Sequence, residues 1–328
     1  KTLDAVTVMG SVIPTIDVSQ TDTRTVLTAE QLSKLSIGRS VTEVALLAPS
    51  VVRNDSYSGV PSFGGSASSE NAYFINGYNV TNPLTSVGFT SLPFDAIAEQ
   101  QILTGGYGAE FGRSTGGVIN LVTKRGTNEW KGGVYTFIIP KGTRAAPRDI
   151  YYADTGWYPV NGPAKLPNGT TVDASTRSAD QRTDGTLSQY RDENLSWSTL
   201  VGGYISGPLI KDRLFFYANA EQERRQGTEV LSTRVSTGAT ANQGWREYRL
   251  DYPNWMTKID WNINDDHVLE FTAIQDRNKT DSSRYAFNYA DFSHGTTTTA
   301  HSTADNNSRL YVGKYTGYLT DTLTLSAL

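Results

Sequence analysis

Gly112-Arg-Ser-Thr-Gly116 has the Gly-x-Ser-x-Gly spacing of a nucleophile elbow, and aspartates and histidines follow it in a hydrolase order. An elbow needs a strand before its serine and a helix after it. Here the β-branched run Val118–Val122 follows, so the segment reads as a glycine-rich turn. Gly106-x-Gly108-x-x-x-Gly112 has the glycines of a dinucleotide loop at the wrong spacing and with no helix after them. Asp265-Asp266, Asp180 with Asp184, and Asp192-Glu193 lack the oxygen-ligand spacing of a calcium loop and read as solvated turns. With His267, His294 and His301 as its only histidines and 0 cysteines, the chain has no metal-site pattern, no thiol nucleophile and no disulfide. No enzyme activity, metal or cofactor is expected. The residues left with a binding chemistry are aromatics in long polar segments, among them Trp157, Tyr158, Trp245 and Tyr285. They could stack on sugars, pack against a peptide, or pack on one another.

The elements that must carry these residues divide at Lys124. The whole chain has a net charge of −4, which gives no reason to expect nucleic-acid binding. All six Trp lie beyond Lys124. Upstream, residues 1–19 read as an extended tether. Thr28 can cap a helix over 29–35 with Glu30 in its first turn. Arg39 or Ser40 opens a second helix, with Val41, Val44, Ala45 and Ala48 on one face and Pro49 as its stop. Residues 54–71 read as loop. Tyr73–Ile75, Gln101–Leu103 and Gly116–Lys124 read as strands.

Downstream, polarity alternates with period two. Trp255, Thr257, Ile259 and Trp261 oppose Asn254, Lys258 and Asp260; Leu214, Phe216, Ala218 and Ala220 oppose Asn219, Glu221 and Glu223. The same pattern recurs over 267–276 and 309–319, and more weakly over 130–139 and 196–207. Short turns at 207–213, 262–266 and 320–322 alternate with long polar segments at about 140–195, 225–252 and 279–308. Alternating segments with short turns at one end and long loops at the other are the pattern of an outer-membrane barrel. A water-soluble sandwich alternates too. The loop asymmetry and the Trp255/Trp261 pair favour the barrel, and the small strand count favours the sandwich. The start at Lys1 without Met, and the end at Leu328 inside a strand-like run, predict a segment of a longer chain.

Gly105-Gly-Tyr-Gly-Ala-Glu-Phe-Gly-Arg-Ser-Thr-Gly-Gly-Val-Ile-Asn-Leu-Val-Thr-Lys124 resembles the end of the plug domain of TonB-dependent receptors. Arg125-Gly-Thr-Asn-Glu-Trp-Lys-Gly-Gly133 and Gly207-Pro-Leu-Ile-Lys-Asp-Arg-Leu-Phe-Phe216 resemble the Oar-like branch of that family. Ser40–Val52 and Tyr73-Phe-Ile-Asn-Gly77 sit where the family has further plug motifs, with Asn76 in place of the usual Asp. The resemblance implies an α+β plug domain over 20–124, followed over 125–328 by antiparallel strands of a partial transmembrane β-barrel. These are the first six to seven of 22 strands. Gly105, Gly106, Gly108, Gly112, Gly116 and Gly117 would be plug turns, with Glu110 and Arg113 inside the motif. Leu3, Asp4, Ala5, Val6, Thr7 and Val8 resemble a TonB box, an extended segment able to add as a strand to a partner sheet. The implied activity is energised uptake, or export, of a ligand across the outer membrane of a Gram-negative cell. The implied partners are the TonB C-terminal domain with the ExbB/ExbD motor behind it, outer-membrane lipid, and a peptide, carbohydrate or siderophore. The alternative is a surface display or adhesion protein that uses the barrel as a scaffold.

Overall fold

The computed structural model describes residues 22–35, 37–54, 59–112, 114–143, 145, 147–151, 164–165, 171–172, 185, 187–231 and 244–328. The chain forms two units, one of residues 1–90 with 94–124 and one of residues 91–93 with 125–328. No helix among the described residues is long and apolar enough to cross a membrane, which says nothing of crossing by strands.

The first unit runs β1 (Thr23–Thr28), α1 (Ala29–Lys34), α2 (Val41–Ala45), β2 (Val51–Asn54), β3 (Val60–Phe63), β4 (Ala72–Ile75), β5 (Tyr78–Asn79), β6 (Ile97–Gly105) and β7 (Val118–Thr123). Thr28 starts α1 through a capping box. Its hydroxyl accepts from Gln31 N–H at 3.4 Å, and the Gln31 amide oxygen accepts from Thr28 N–H at 2.9 Å. Helix α2 is a single short turn that buries Val41, Val44 and Ala45 and ends ahead of Pro49. The sheet order is β1-β6-β7-β4-β5, with β4 and β7 parallel and the other pairs antiparallel. Its central strands bury Ile75, Ile97, Ile102, Leu103, Val118, Ile119 and Leu121. Strand β7 is buried on both faces, which is why its sequence is a nearly unbroken apolar run. Each fully buried Ile or Leu stabilises by roughly 1.5–3 kcal/mol. The stretch 54–71, expected to be loop, contains β3, which pairs with β2. Ser62 and Phe63 are buried there, so serine content misread a strand edge as a loop.

The second unit contains β8 (Lys131–Ile139), β9 (Ile150–Tyr151), β10 (Ala164–Lys165), β11 (Thr171–Val172), β12 (Leu187–Gln189), β13 (Ser196–Ile210), β14 (Leu214–Val230), β15 (Trp245–Asn262), β16 (His267–Asn288), β17 (Ser293–Thr320) and β18 (Leu323–Ala327). Seven of these form one antiparallel meander, β8-β13-β14-β15-β16-β17-β18, with β8 and β18 at its edges. The register assigns every side chain to one of two faces. Phe216, Ile259 and Phe271 are cross-strand neighbours on one face, and Tyr217, Lys258 and Thr272 on the other. The apolar face is the exposed one. Val134 is 92% exposed, Ile138 62%, Tyr311 59% and Val201 55%. The opposite face buries Asn219, Asn254, Lys258, Asp260 and Thr272. A water-soluble sandwich has these polarities reversed, so the sheet is that of a membrane barrel, here incomplete.

In the segments expected to be loops at about 225–252 and 279–308, the described residues are largely strand. Strand β14 continues to Val230, β15 begins at Trp245, and β16 and β17 pair as far as Asn288 and Ser293. Both faces of the outer part of β17 are exposed, so Ser, Thr and Asn fill it without alternation. The period-two signal fails where neither face has an apolar neighbour.

Candidate functional site

In the first unit the glycine-rich stretch is a clamp between β6 and β7. Gly105 ends β6 and Gly106 turns at φ 70°. Gly108 and Gly112 bracket a 3-10 turn over Ala109–Phe111 that carries Glu110 on its surface. Gly116 and Gly117 lead into β7. The Tyr107 hydroxyl donates to the Gly116 carbonyl at 2.9 Å, and the Ser114 hydroxyl donates to the Glu70 carbonyl at 3.0 Å. Gly117 N–H donates to Asn71 Oδ1 at 3.2 Å, and the Asn71 amide donates to the Pro61 carbonyl at 2.7 Å. Phe111 lies edge-on to Phe74 with centroids 5.2 Å apart, against the cluster of Ala72, Phe74, Leu103 and Val118. Ser114 therefore bonds to main-chain carbonyls and is followed by a strand, a structural use of the serine. Arg113 lies outside the described residues, as do Leu3, Asp4, Ala5, Val6, Thr7 and Val8.

A second feature of this unit went unnoticed in the sequence. Residues 81–89 close a hairpin loop through the Thr81–Phe89 bridge. Asn82 Oδ1 accepts from Leu84 N–H at 2.9 Å and Thr85 N–H at 3.2 Å, and Asn82 N–H donates to the Gly88 carbonyl at 3.1 Å. Phe89 stacks on Tyr73 with centroids 4.5 Å apart. This frame holds Leu84 out at 91% exposure. Asn82-Pro83 with Gly88 is the turn signal that could have found it. Burial pushes the Tyr73 phenol above its ordinary value, against a lowering pull from Asn71. Burial likewise pushes the Lys124 ammonium down, opposed by nearby Asp95 and assisted by Arg39. Asp95 pairs with Arg39, whose guanidinium lies 5.1 Å from the Phe94 ring centroid.

In the second unit the buried face of the sheet carries a charge network. Lys258 Nζ lies 3.0 Å from Glu270 and 3.4 Å from Asp260; Arg125 reaches Asp260 at 3.5 Å, and Lys314 reaches Glu270 at 3.9 Å. Farther along the same face the Tyr135 hydroxyl donates to Asn219 or Glu221 at 3.2 Å, and Asp276 accepts from Ser91 N–H at 2.8 Å. This polar lining is suited to water and to polar solutes.

Two of the candidate loop aromatics are brought together. Trp245 and Tyr285 are directly paired across β15 and β16, with ring centroids 5.4 Å apart. His294 stacks on Trp245 at 4.1 Å and 3°, leaving the indole 8% exposed. Tyr190 stacks on Phe287 and lies tilted against Phe292 nearby. These rings pack on one another, and the Tyr285 hydroxyl donates to Glu247 Oε2 at 3.5 Å. Trp157 and Tyr158 lie outside the described residues.

Residues 17–118 match the family model described as the TonB-dependent receptor plug domain. The chain is 30% identical over 288 residues to the TonB-dependent transporter Oar of Myxococcus xanthus. That alignment takes in 79% of this chain and 24% of Oar. Among solved structures it is similar to the ferric enterobactin receptor of Pseudomonas aeruginosa in complex with enterobactin. The TM-score is 0.54 at 13% identity, over 90% of this chain and 38% of that one. The chain thus spans about a quarter of the curated relative, and the likeness to the solved receptor is one of fold.

Proposed function

This chain belongs to the TonB-dependent receptors, on their Oar-like side, and from that premise we propose that the whole protein is an energised outer-membrane transporter. The observation that carries the proposal is the pairing of a plug fold with a sheet whose exposed face carries large apolar side chains and whose other face buries polar and charged ones, Asn219, Lys258 and Asp260 among them. Such a sheet suits the wall of a water-filled barrel in lipid. The protein resides in the outer membrane of a Gram-negative cell. A peptide, carbohydrate or siderophore binds among the outer loops, with Trp157, Tyr158, Trp245 and Tyr285 as candidate contacts. The segment Leu3–Val8 pairs as an added strand with the C-terminal domain of TonB, driven by ExbB/ExbD, and the plug yields to admit or export the ligand. Display or adhesion is the second reading, favoured by the long exposed hydroxyl-rich part of β17.

The test is a disulfide trap in the full-length protein. Val6→Cys should cross-link to a cysteine placed on the edge strand of the TonB C-terminal domain, and adding Ala5→Pro should abolish the link by removing a ladder N–H. Absence of any link from residues 3–8 would leave the display reading in its place.

A further inference from the structure

The tip of the β16–β17 hairpin, at the end of the sheet away from the short turns, holds an aromatic residue in a conformation that suits glycine. Phe292 has φ 56°. A bulky residue at positive φ is an outlier that its surroundings must hold in place. Two side-chain acceptors do so. Asn288 Oδ1 accepts from Ala290 N–H at 3.0 Å, and Asp291 Oδ1 accepts from the N–H and the hydroxyl of Ser293 at 3.1 and 2.7 Å. A glycine would make this turn without strain, so the turn alone gives no reason for a ring at 292. That ring is 40% exposed, and its centroid lies 4.6 Å from that of Tyr190. Tyr190 stacks in turn on Phe287 at 6.2 Å, and Phe287 meets Tyr289 edge-on at 5.0 Å. The Tyr289 hydroxyl donates to the Leu231 carbonyl at 2.5 Å, which pins the base of the stack.

The segments that meet at this stack are acidic. Residues 147–151, 187–195 and 285–295 carry Arg148 and Arg191 against Asp149, Asp192, Glu193 and Asp291, 2 − 4 = −2 with His294 neutral. The adjoining ends of β14, β15 and β16 add Arg246 and Arg284 against Glu229 and Glu247, which leaves the balance at −2. Desolvation first, and then the charges of Asp192, Glu193 and Asp149, push the Tyr190 phenol above its ordinary value, so three carboxylates act on this one ring. The arginine next to it in sequence is turned to the main chain: Arg191 Nη1 donates to the Arg148 carbonyl at 3.4 Å. The cation–ring contacts among the described residues lie elsewhere, Arg39 on Phe94 and Arg246 on Tyr248.

We propose that this stack binds a lysine or arginine side chain of a peptide, which names the ligand class for the transporter reading above and rests on that reading. Aromatic faces attract ammonium and guanidinium groups. The methylenes of a long basic side chain pack on a ring while its charge stays with carboxylates beyond it. Phe292 and Tyr190 take the stem and the near side of the charge. Asp192, Glu193 and Asp291 supply the field that draws it in. A compact cation has no stem to lie on an exposed ring, and a neutral ligand gains nothing from the carboxylates.

The full-length protein in detergent micelles tests this by titration with acetyl-Gly-Lys-Gly-amide and with the same peptide carrying norleucine, which keeps the stem and lacks the charge. The lysine peptide should bind roughly fivefold more tightly. Phe292→Leu removes the ring and keeps an apolar side chain. It should weaken the lysine peptide roughly threefold and leave the norleucine peptide unchanged. Asp192→Asn with Asp291→Asn, which keeps an acceptor for Ser293, should weaken the lysine peptide roughly threefold at low salt. Asp265→Asn, on the exposed short turn between β15 and β16, should change nothing. Phe292→Gly serves should Phe292→Leu fail to fold: it relieves the turn, so it should raise the thermal midpoint and still lose the binding. Equal binding of the two peptides, parental binding by Phe292→Leu, or choline binding as tightly as the lysine peptide would overturn the proposal. A lysine peptide that fails to bind while residue 6 still cross-links to TonB removes this site and leaves the transport reading. A cross-link that fails while the lysine peptide binds removes the transport reading and leaves the site.

Discussion

Gly117 lies against the ring of Phe63 so closely that a Cβ built on it would overlap three ring atoms. The contact joins the lead-in of β7 to β3, two segments 54 residues apart, and Phe63 is itself 3% exposed. Phe63 cannot retreat without opening the packing of its own ladder with β2. Gly117→Ala should therefore destabilise the plug by roughly 1–3 kcal/mol, the usual cost of overpacking. Hydrogen exchange of the amides in β3 and β7 should accelerate accordingly, with the sheet of the second unit unaffected. Unchanged exchange in both strands would show that the ring has room to move.

Tyr73 gives the plug an alkaline limit. Burial raises its phenol above 10.0, so the folded plug holds this proton at a pH where the unfolded chain has released it. The sign follows from linkage: stability from this group is complete below pH 10.0 and declines as pH climbs through the raised folded value. Tyr73→Phe should leave stability at neutral pH within about 1 kcal/mol and flatten the decline above pH 10.0. A parallel decline in both proteins would assign the alkaline limit to another group.

The Thr28 box makes a separable local prediction. Its two hydrogen bonds satisfy donors that a six-residue helix cannot satisfy itself. Thr28→Ala should cost about 1 kcal/mol and show as faster exchange confined to α1. Lys34→Ala, which removes only the exposed pair with Glu30, should shift exchange by less than about 0.5 kcal/mol.

What could be read from the sequence, and what could not, divides along physical lines. Trp255, Ile259 and Trp261 announced their face because one side of β15 meets an apolar medium and the other does not. Thr28 with Gln31 announced a helix start because capping is local. The outer halves of β16 and β17 were silent, since strands wet on both faces need no alternation. Strand β1 was silent because Thr23–Thr28 is held by the edge of β6, a partner more than 70 residues away. The Lys258, Asp260 and Glu270 network was visible only as charges on a polar face. Its convergence depends on the register of β15 against β16 and on Arg125 arriving from before β8. Leu84 was missed because exposure of a single apolar residue leaves no pattern.

Leu84 offers a test that separates function from folding. At 91% exposure on a loop braced by Asn82 and Gly88, its side chain contributes almost nothing to stability. Leu84→Ser should leave thermal unfolding unchanged within about 0.5 kcal/mol. Asn82→Ala, which removes the acceptor for two main-chain donors, should loosen the loop by about 1–2 kcal/mol in local exchange. Should the loop meet a ligand, Leu84→Ser would alter uptake by the full-length protein while its folding is unaffected. Destabilisation by Leu84→Ser alone would mean the residue is packed in the intact protein.

The network around Lys258 should show the asymmetry of buried charge. Lys258 is 5% exposed and Asp260 0%, and the lysine lies between Asp260 and Glu270. Lys258→Met removes the shared cation and leaves two carboxylates facing each other on adjacent strands, with Arg125 and Lys314 left among the described residues to offset them. Breaking a buried pair from one side typically costs about 3–5 kcal/mol. Adding Asp260→Asn and Glu270→Gln to Lys258→Met removes the uncompensated charge and should recover much of that loss. Urea unfolding of the full-length protein in micelles, followed by the fluorescence of its tryptophans, measures both. A single variant as stable as the parent would mean that water enters this face and solvates the carboxylates. A triple variant no better than the single one would mean that Lys258 acts through packing of its aliphatic stem on Tyr217 and Thr272, its register neighbours, and not through its charge.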